Sequence, residues 1–169
     1  LKQNINNTAK ISKLAESYKI SLEGEVGIVG YHNGKISEGT SLSEAKKFSS
    51  ESGVDAMAIS VGNTHLQTSK LAKINISKIM DIQSVTNIPL VLHGSSGISY
   101  KMRKKLAVET NVAKFNIGTE IRMVAGNSLR KIVNDNMEIF DRLQLIKPTI
   151  KNIKNKTKQI IKNIGITNG

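Results

Sequence analysis

The chain contains no cysteine, no tryptophan and only two prolines, and it has no acidic residue after Asp141. Without cysteine there is no disulfide, thiolate metal site or cysteine nucleophile, which leaves histidine and carboxylates as the ligands for a transition metal. No stretch approaches the ~18 consecutive apolar residues of a membrane span. The opening residues form a polar run instead of a basic segment followed by an apolar one. The expectation is a cytoplasmic protein with no membrane partner, and a start at Leu1 in place of Met leads us to expect a piece of a longer product.

What is present is one domain's worth of chain, 169 residues with 25 Lys and Arg against 13 Asp and Glu. The excess positive charge is uneven. Leu143 to Gly169 holds six lysines and no carboxylate, with Lys151, Lys154, Lys158 and Lys162 spaced against Ile150, Ile153, Ile160, Ile161 and Ile164. This reads as an amphipathic basic helix and tail (143–169) following a main body (1–142). The tail has no aromatic residue to stack on bases, so a solvated helix face is favoured over nucleic-acid binding.

Along the body the hydrophobic period alternates between helical and extended. Helices are predicted over 6–19, 43–52 (with Ser43 as cap), 76–85, 99–109 and 120–133, with strands over 20–27, 54–62, 88–94 and 112–118. Strands alternating with helices of this length make βαβ units and a parallel sheet. An open doubly wound sheet and half of an eight-stranded (β/α)8 TIM barrel both satisfy four such units. The polar residues tip the choice toward the barrel: Glu25, Asn63 to His65, His93 to Ser96 and Asn116 to Thr119 sit at or just past strand carboxyl ends, which converge on one site in a barrel.

His65 and His93 follow apolar strands in successive units, and neighbouring strands would bring both imidazoles to one metal ion, with Glu25 at the matching edge of a third. From spacing alone, His32 is the natural third histidine. The loop Gly94-Ser95-Ser96 is small enough for backbone N–H groups to meet an anion at the start of a helix. Asn116, Ile117, Gly118 and Thr119 repeat that arrangement one unit later, so the two together predict a phosphorylated substrate.

The runs Ser21-Leu-Glu-Gly-Glu-Val-Gly27, Gly53 to Gly62 with His65 after it, Pro89-Leu-Val-Leu-His-Gly-Ser-Ser-Gly97 and Ala113-Lys-Phe-Asn-Ile-Gly-Thr-Glu120 resemble, in order, the class II zinc-dependent ketose-bisphosphate aldolases. The resemblance implies a TIM barrel of which this chain supplies about the last four βα units. It implies reversible aldol cleavage of fructose or tagatose 1,6-bisphosphate to dihydroxyacetone phosphate and glyceraldehyde 3-phosphate, with Zn2+ polarising the substrate oxygens. It makes His65 and His93 two of three zinc ligands and Glu25 a carboxylate at an alternative metal position. Gly94, Ser95, Ser96 and Asn116 to Thr119 would hold dihydroxyacetone phosphate, and Arg142 resembles an arginine that a neighbouring subunit gives to the distal phosphate. A missing N-terminal barrel half and a homo-oligomer are the implied partners.

The departures are specific. The family's first zinc histidine and its proton-donating aspartate fall upstream of Leu1, so no catalytic proton donor is assigned within the chain. Asn33 stands where a flap glutamate would move a proton, and an amide cannot serve as a base. Leu66 stands where a glycine follows the second histidine. Within the family this loop is a flap, so His32 is expected not to replace the missing ligand. The competing reading is a non-catalytic, aldolase-derived phosphate-binding or interaction protein. An open half-barrel is also expected to expose two strand edges and an apolar interior.

Overall fold

The computed structural model describes residues 1–31 and 39–165. His32 and Asn33, singled out above, lie outside the described residues. In chain order the elements are α1 (Lys2–Ser17), β1 (Glu23–Val26), β2 (Gly30–Tyr31), α2 (Leu42–Glu51), β3 (Ala56–Ile59), β4 (Thr64–His65), α3 (Ile76–Ser84), β5 (Leu90–Leu92), a 3-10 turn (Ser95–Gly97), α4 (Tyr100–Glu109), β6 (Val112–Phe115), α5 (Thr119–Asp135), α6 (Arg142–Ile146) and α7 (Thr149–Asn163). Four strands form a parallel sheet in the order β1-β3-β5-β6, while the two-residue strands β2 and β4 pair in parallel beside it.

Each predicted main strand is present but shorter, because strand ends pass into the loops that carry the polar motifs. The sequence reading missed β2 and β4, which at two residues each are too short to show a period. The cap of α2 also differs from expectation. Ser41, not Ser43, accepts from the Glu44 N–H at 3.3 Å, while Glu44 Oε2 accepts from the Ser41 N–H at 3.0 Å, a reciprocal capping box.

Register decides what each sheet face carries. Gly24, Met57, Leu90 and Val112 align across the four strands, and on this side Met57 and Leu90 are fully buried in a core with Phe48, Ile79, Ile82 and Leu106 from the helices. The next row is Glu25, Ala58, Val91 and Lys114. The opposite face is therefore not the apolar interior that was expected: Ala58 and Val91 are buried, and Glu23, Glu25 and Lys114 rise from the two outer strands. Alternation along Glu23-Gly24-Glu25-Val26 is the physical reason, since side chains two apart share a face.

The sheet is strongly curved. Lys114 on β6 reaches Glu23 Oε2 on β1 at 2.6 Å, although these are the first and last strands in the order. In a flat sheet three inter-strand spacings would separate the two backbones by about 14 Å; this bridge, together with Glu23 lying 2.8 Å from His93 beyond β5, draws the polar face inward. Strands β1 and β6 each keep one edge unpaired among the described strands.

The basic C-terminal segment packs onto the body. Helix α7 lies against α4 and α5, with Thr149 and Ile160 buried. Asn163 Nδ2 donates to the Tyr100 carbonyl at 2.9 Å. No described helix is long and apolar enough to cross a membrane.

Candidate functional site

The polar motifs converge past the carboxyl ends of β5 and β6. A cavity of about 320 Å³ there is lined by His65, Leu66, His93, Gly94, Ser96, Asn116, Ile117, Gly118, Thr119 and Arg122. The two imidazoles come from different units and their ring centroids stand 6.0 Å apart.

His93 is held from both sides. Its Nε2 is 2.8 Å from Glu23 Oε1 and its Nδ1 is 3.0 Å from Glu25 Oε2. Burial alone would raise the Glu23 carboxyl, but hydrogen bonds from Lys114 and His93 outweigh it and hold Glu23 below the ordinary glutamate range. Glu25 thus sits beside His93 as the sequence reading placed it. Glu23 is an addition that the same period-2 pattern carried. Imidazole nitrogen and carboxylate oxygen are the right donor types for zinc. However, among the described residues no group of three or more His, Asp or Glu is arranged to hold a metal ion. The fit is therefore that of a partial ligand set.

The anion loop is built by backbone constraint. Gly94 has φ +62°, and a Cβ there would lie 2.2 Å from the Thr64 carbonyl oxygen, so β4 can approach the loop only because this residue lacks a side chain. Ser95 is buried and spent on structure: its Oγ donates to Leu92 O at 2.7 Å and its N–H donates to Asn116 O at 3.1 Å. Ser96, also buried, accepts through Oγ from the Glu120 N–H at 3.1 Å.

Helix α5 starts differently from its predecessors. Side chains of Ser41, Asn75 and Ser99 cap α2, α3 and α4, whereas the N-cap of α5 is Gly118 and makes no side-chain cap. In place of a cap from its own N-cap residue, the first turn of this 17-residue helix has the Glu120 N–H on Ser96 Oγ at 3.1 Å and the Ile121 N–H on the Gly118 carbonyl at 3.1 Å, and its positive end opens beside the cavity at Gly118 and Thr119. Arg122 adds a guanidinium on the same turn, and its Nη2 donates to Thr119 Oγ1 at 3.0 Å. Sequence reasoning missed Arg122. The signal was there, since 119 and 122 are three apart on a helix and share a face. Arg142 lies elsewhere, exposed at the first turn of α6 and outside the cavity lining.

Leu66 has φ +59°, a left-handed conformation that side chains disfavour, and it is 56% exposed at the cavity.

Ligands of α/β folds bind past the carboxyl ends of parallel strands, and this cavity gives the chain that character. The sequence narrows the class: it matches the family described as fructose-bisphosphate aldolase class-II over residues 1–169, and the chain belongs to that family. It is 29% identical over 170 residues to a fructose-bisphosphate aldolase of Staphylococcus aureus (strain Mu50), covering 98% of this chain and 59% of that protein. A 6-phospho-5-dehydro-2-deoxy-D-gluconate aldolase of Shouchella clausii is also 29% identical, over 99% of this chain and 58% of its own length. Among solved structures, the YdjI aldolase of Escherichia coli K12 superposes with a TM-score of 0.75 at 26% identity, covering 97% of this chain and 55% of that one. A fructose-1,6-bisphosphate aldolase structure from Coccidioides immitis, described as putative, shares the fold at TM-score 0.78 and 18% identity, covering 96% of this chain and 58% of that one. The chain thus spans under two thirds of the length of these relatives.

Proposed function

We propose that this chain forms the phosphate-binding and part of the metal-binding face of a class II aldolase, a lyase acting on a ketose 1,6-bisphosphate of the fructose or tagatose kind. In this reading the curved sheet is the second half of a TIM barrel, and a further set of βα units closes the β1 and β6 edges. One observation carries it: an imidazole pair, the N-terminus of α5 and the Arg122 guanidinium share a single cavity at the strand carboxyl ends.

Each residue then has a task. The first turn of α5, with Thr119 and Arg122, takes the phosphate of dihydroxyacetone phosphate, where the helix dipole and guanidinium both favour an anion. Ser96 and Gly94 shape the opposite lip. His65 and His93 would hold Zn2+ with Glu25 as an oxygen donor, and the bound ion would act as a Lewis acid on the substrate carbonyl. Glu23 holds the other ring nitrogen of His93, the orienting role that carboxylates commonly play behind metal-bound imidazoles. The chain's own described residues supply no proton donor to the leaving carbon in this reading. That group belongs with the closing half, as does the third histidine, and Arg142 would reach the distal phosphate in a neighbouring subunit's site. The cytoplasm is the compartment that fits a sugar-phosphate substrate.

The test is zinc stoichiometry by equilibrium dialysis alongside aldol cleavage of both bisphosphates. Zinc bound by the wild type and lost in His65→Ala and His93→Ala supports the assignment, whereas zinc unaffected by either substitution refutes it. Leu66 at the cavity favours one second reading, a phosphate-binding protein of aldolase descent without catalysis. Zinc and phosphate binding with no cleavage, even after the barrel is completed, would select that reading.

A further inference from the structure

Behind the anion loop lies a charge cluster that the tasks above do not use. Glu120, the second residue of α5 and 7% exposed, accepts from Lys70, from Arg103 Nη2 at 2.7 Å, from the Tyr100 hydroxyl at 2.7 Å, and pairs with Lys156 at 2.9 Å. These partners arrive from the segment after β4, from α4 and from α7. Lys70, Arg103 and Lys156 also ring the Tyr100 aromatic face at 4.8, 4.9 and 5.1 Å from its centroid. Arg103 is wholly buried, with its Nε and Nη1 making no hydrogen bond among the described residues.

Three cations on one carboxylate are more than neutralisation needs, and buried ion clusters rarely outdo apolar packing in stability. Position is a better account of them. Two hydrogen bonds run from the cluster into the anion loop: the Glu120 N–H donates to Ser96 Oγ at 3.1 Å, and Lys70 Nζ donates to the Ser96 carbonyl at 2.8 Å. Ser96 is thereby tied at both its side chain and its carbonyl to the start of α5, the two lips of the cavity.

We propose that Glu120 is a positioning residue for anion binding: its contacts with Lys70, Tyr100, Arg103 and Lys156 set the distance between the Ser96 lip and the first turn of α5. This rests on the reading of the cavity as a phosphate site. It also makes the C-terminal helix, through Lys156, part of the apparatus that shapes the site.

The sign of one effect separates positioning from simple electrostatics. Removing a negative charge beside an anion site strengthens anion binding on Coulombic grounds, whereas loss of a positioning contact weakens it. Titration calorimetry of the full chain with dihydroxyacetone phosphate therefore tests the idea. Glu120→Gln is expected to bind roughly tenfold more weakly. Tyr100→Phe removes one donor to Glu120 without changing any charge and is expected to bind about threefold more weakly, which keeps the test open if Glu120→Gln does not fold. Ile82→Val, in the core on the helix side of the sheet, serves as a control for destabilisation and is expected to lower the melting temperature with affinity unchanged. Wild-type affinity in Tyr100→Phe, with unchanged or tighter binding in any folded Glu120→Gln, would overturn the inference and leave the phosphate reading standing. Failure of the wild type to bind the ligand would instead remove that reading, and this inference with it.

Discussion

Leu66 and Lys19 are the two non-glycine residues held at positive φ among the described residues, and of the two Leu66 lies at the cavity. A residue with a Cβ held at φ +59° costs about 1 kcal/mol relative to glycine. Its side chain is more than half exposed, so little packing offsets that cost. Leu66→Gly is therefore expected to raise stability by about 0.5–1 kcal/mol, read as a higher denaturation midpoint at constant m-value. A fall in stability would mean that the leucine makes contacts that outweigh the strain. Gly94 is the opposite case. Gly94→Ala drives a methyl onto the Thr64 carbonyl, and is expected to cost more than about 2 kcal/mol and to abolish phosphate binding. At this scale much was legible: His65, His93, Gly94, Ser96 and Thr119 share one cavity as their places after strands implied. Ser95 is expected as a contact residue, yet its groups are consumed inside the loop, while Ser96, also buried, reaches the cavity lining; which of two adjacent serines does so depends on the turn and not on composition.

Helix α5 carries the element-scale argument, since its first turn serves the cavity on one side and the Glu120 cluster on the other. Burial on its own would raise the Glu120 carboxyl, but hydrogen bonds from Lys70, Tyr100 and Lys156, with the Arg103 charge, hold it down at about 2. A depressed carboxyl contributes stability that is complete above its unfolded value, near 4.5, and lost as pH falls toward about 2. Denaturant unfolding over that window is expected to show a loss on the order of 2–3 kcal/mol from this group. Glu120→Gln should flatten the slope to the part contributed by Glu23 and Glu44, which are also held low. An unchanged slope would show that Glu120 titrates normally. None of this cluster was legible beforehand. Its members are 17 to 50 residues from Glu120 in sequence, and no local period announces such a convergence. The basic tail was read as a solvated face for the same reason: its periodicity shows that it is amphipathic, but not that Lys156 turns inward.

For the whole molecule the governing fact is curvature without closure. The Glu23–Lys114 bridge draws the concave face together, while one edge each of β1 and β6 stays unpaired among the described strands. Unpaired parallel edges recruit other strands, so sedimentation is expected to show association that grows with concentration, and a strictly monomeric chain at every concentration would contradict this. The parallel sheet followed from alternation of helix and strand, whereas that alternation left its strand order open between a doubly wound sheet and a barrel. The polar concave face was mistaken for an apolar one even though Glu23 and Glu25 were in plain view, because the analogy with a filled barrel was given more weight than the period-2 pattern of the strand itself. The central claim is that this concave end binds the phosphate of a triose phosphate in one cavity shared with the imidazole pair. Its most direct test is an amide NMR titration of the isotope-labelled full chain with dihydroxyacetone phosphate. Saturable shifts centred on Gly94, Ser96, Thr119 and Arg122, and lost in Gly94→Ala, are the predicted result; shifts confined to other surfaces, or none at all, would contradict it.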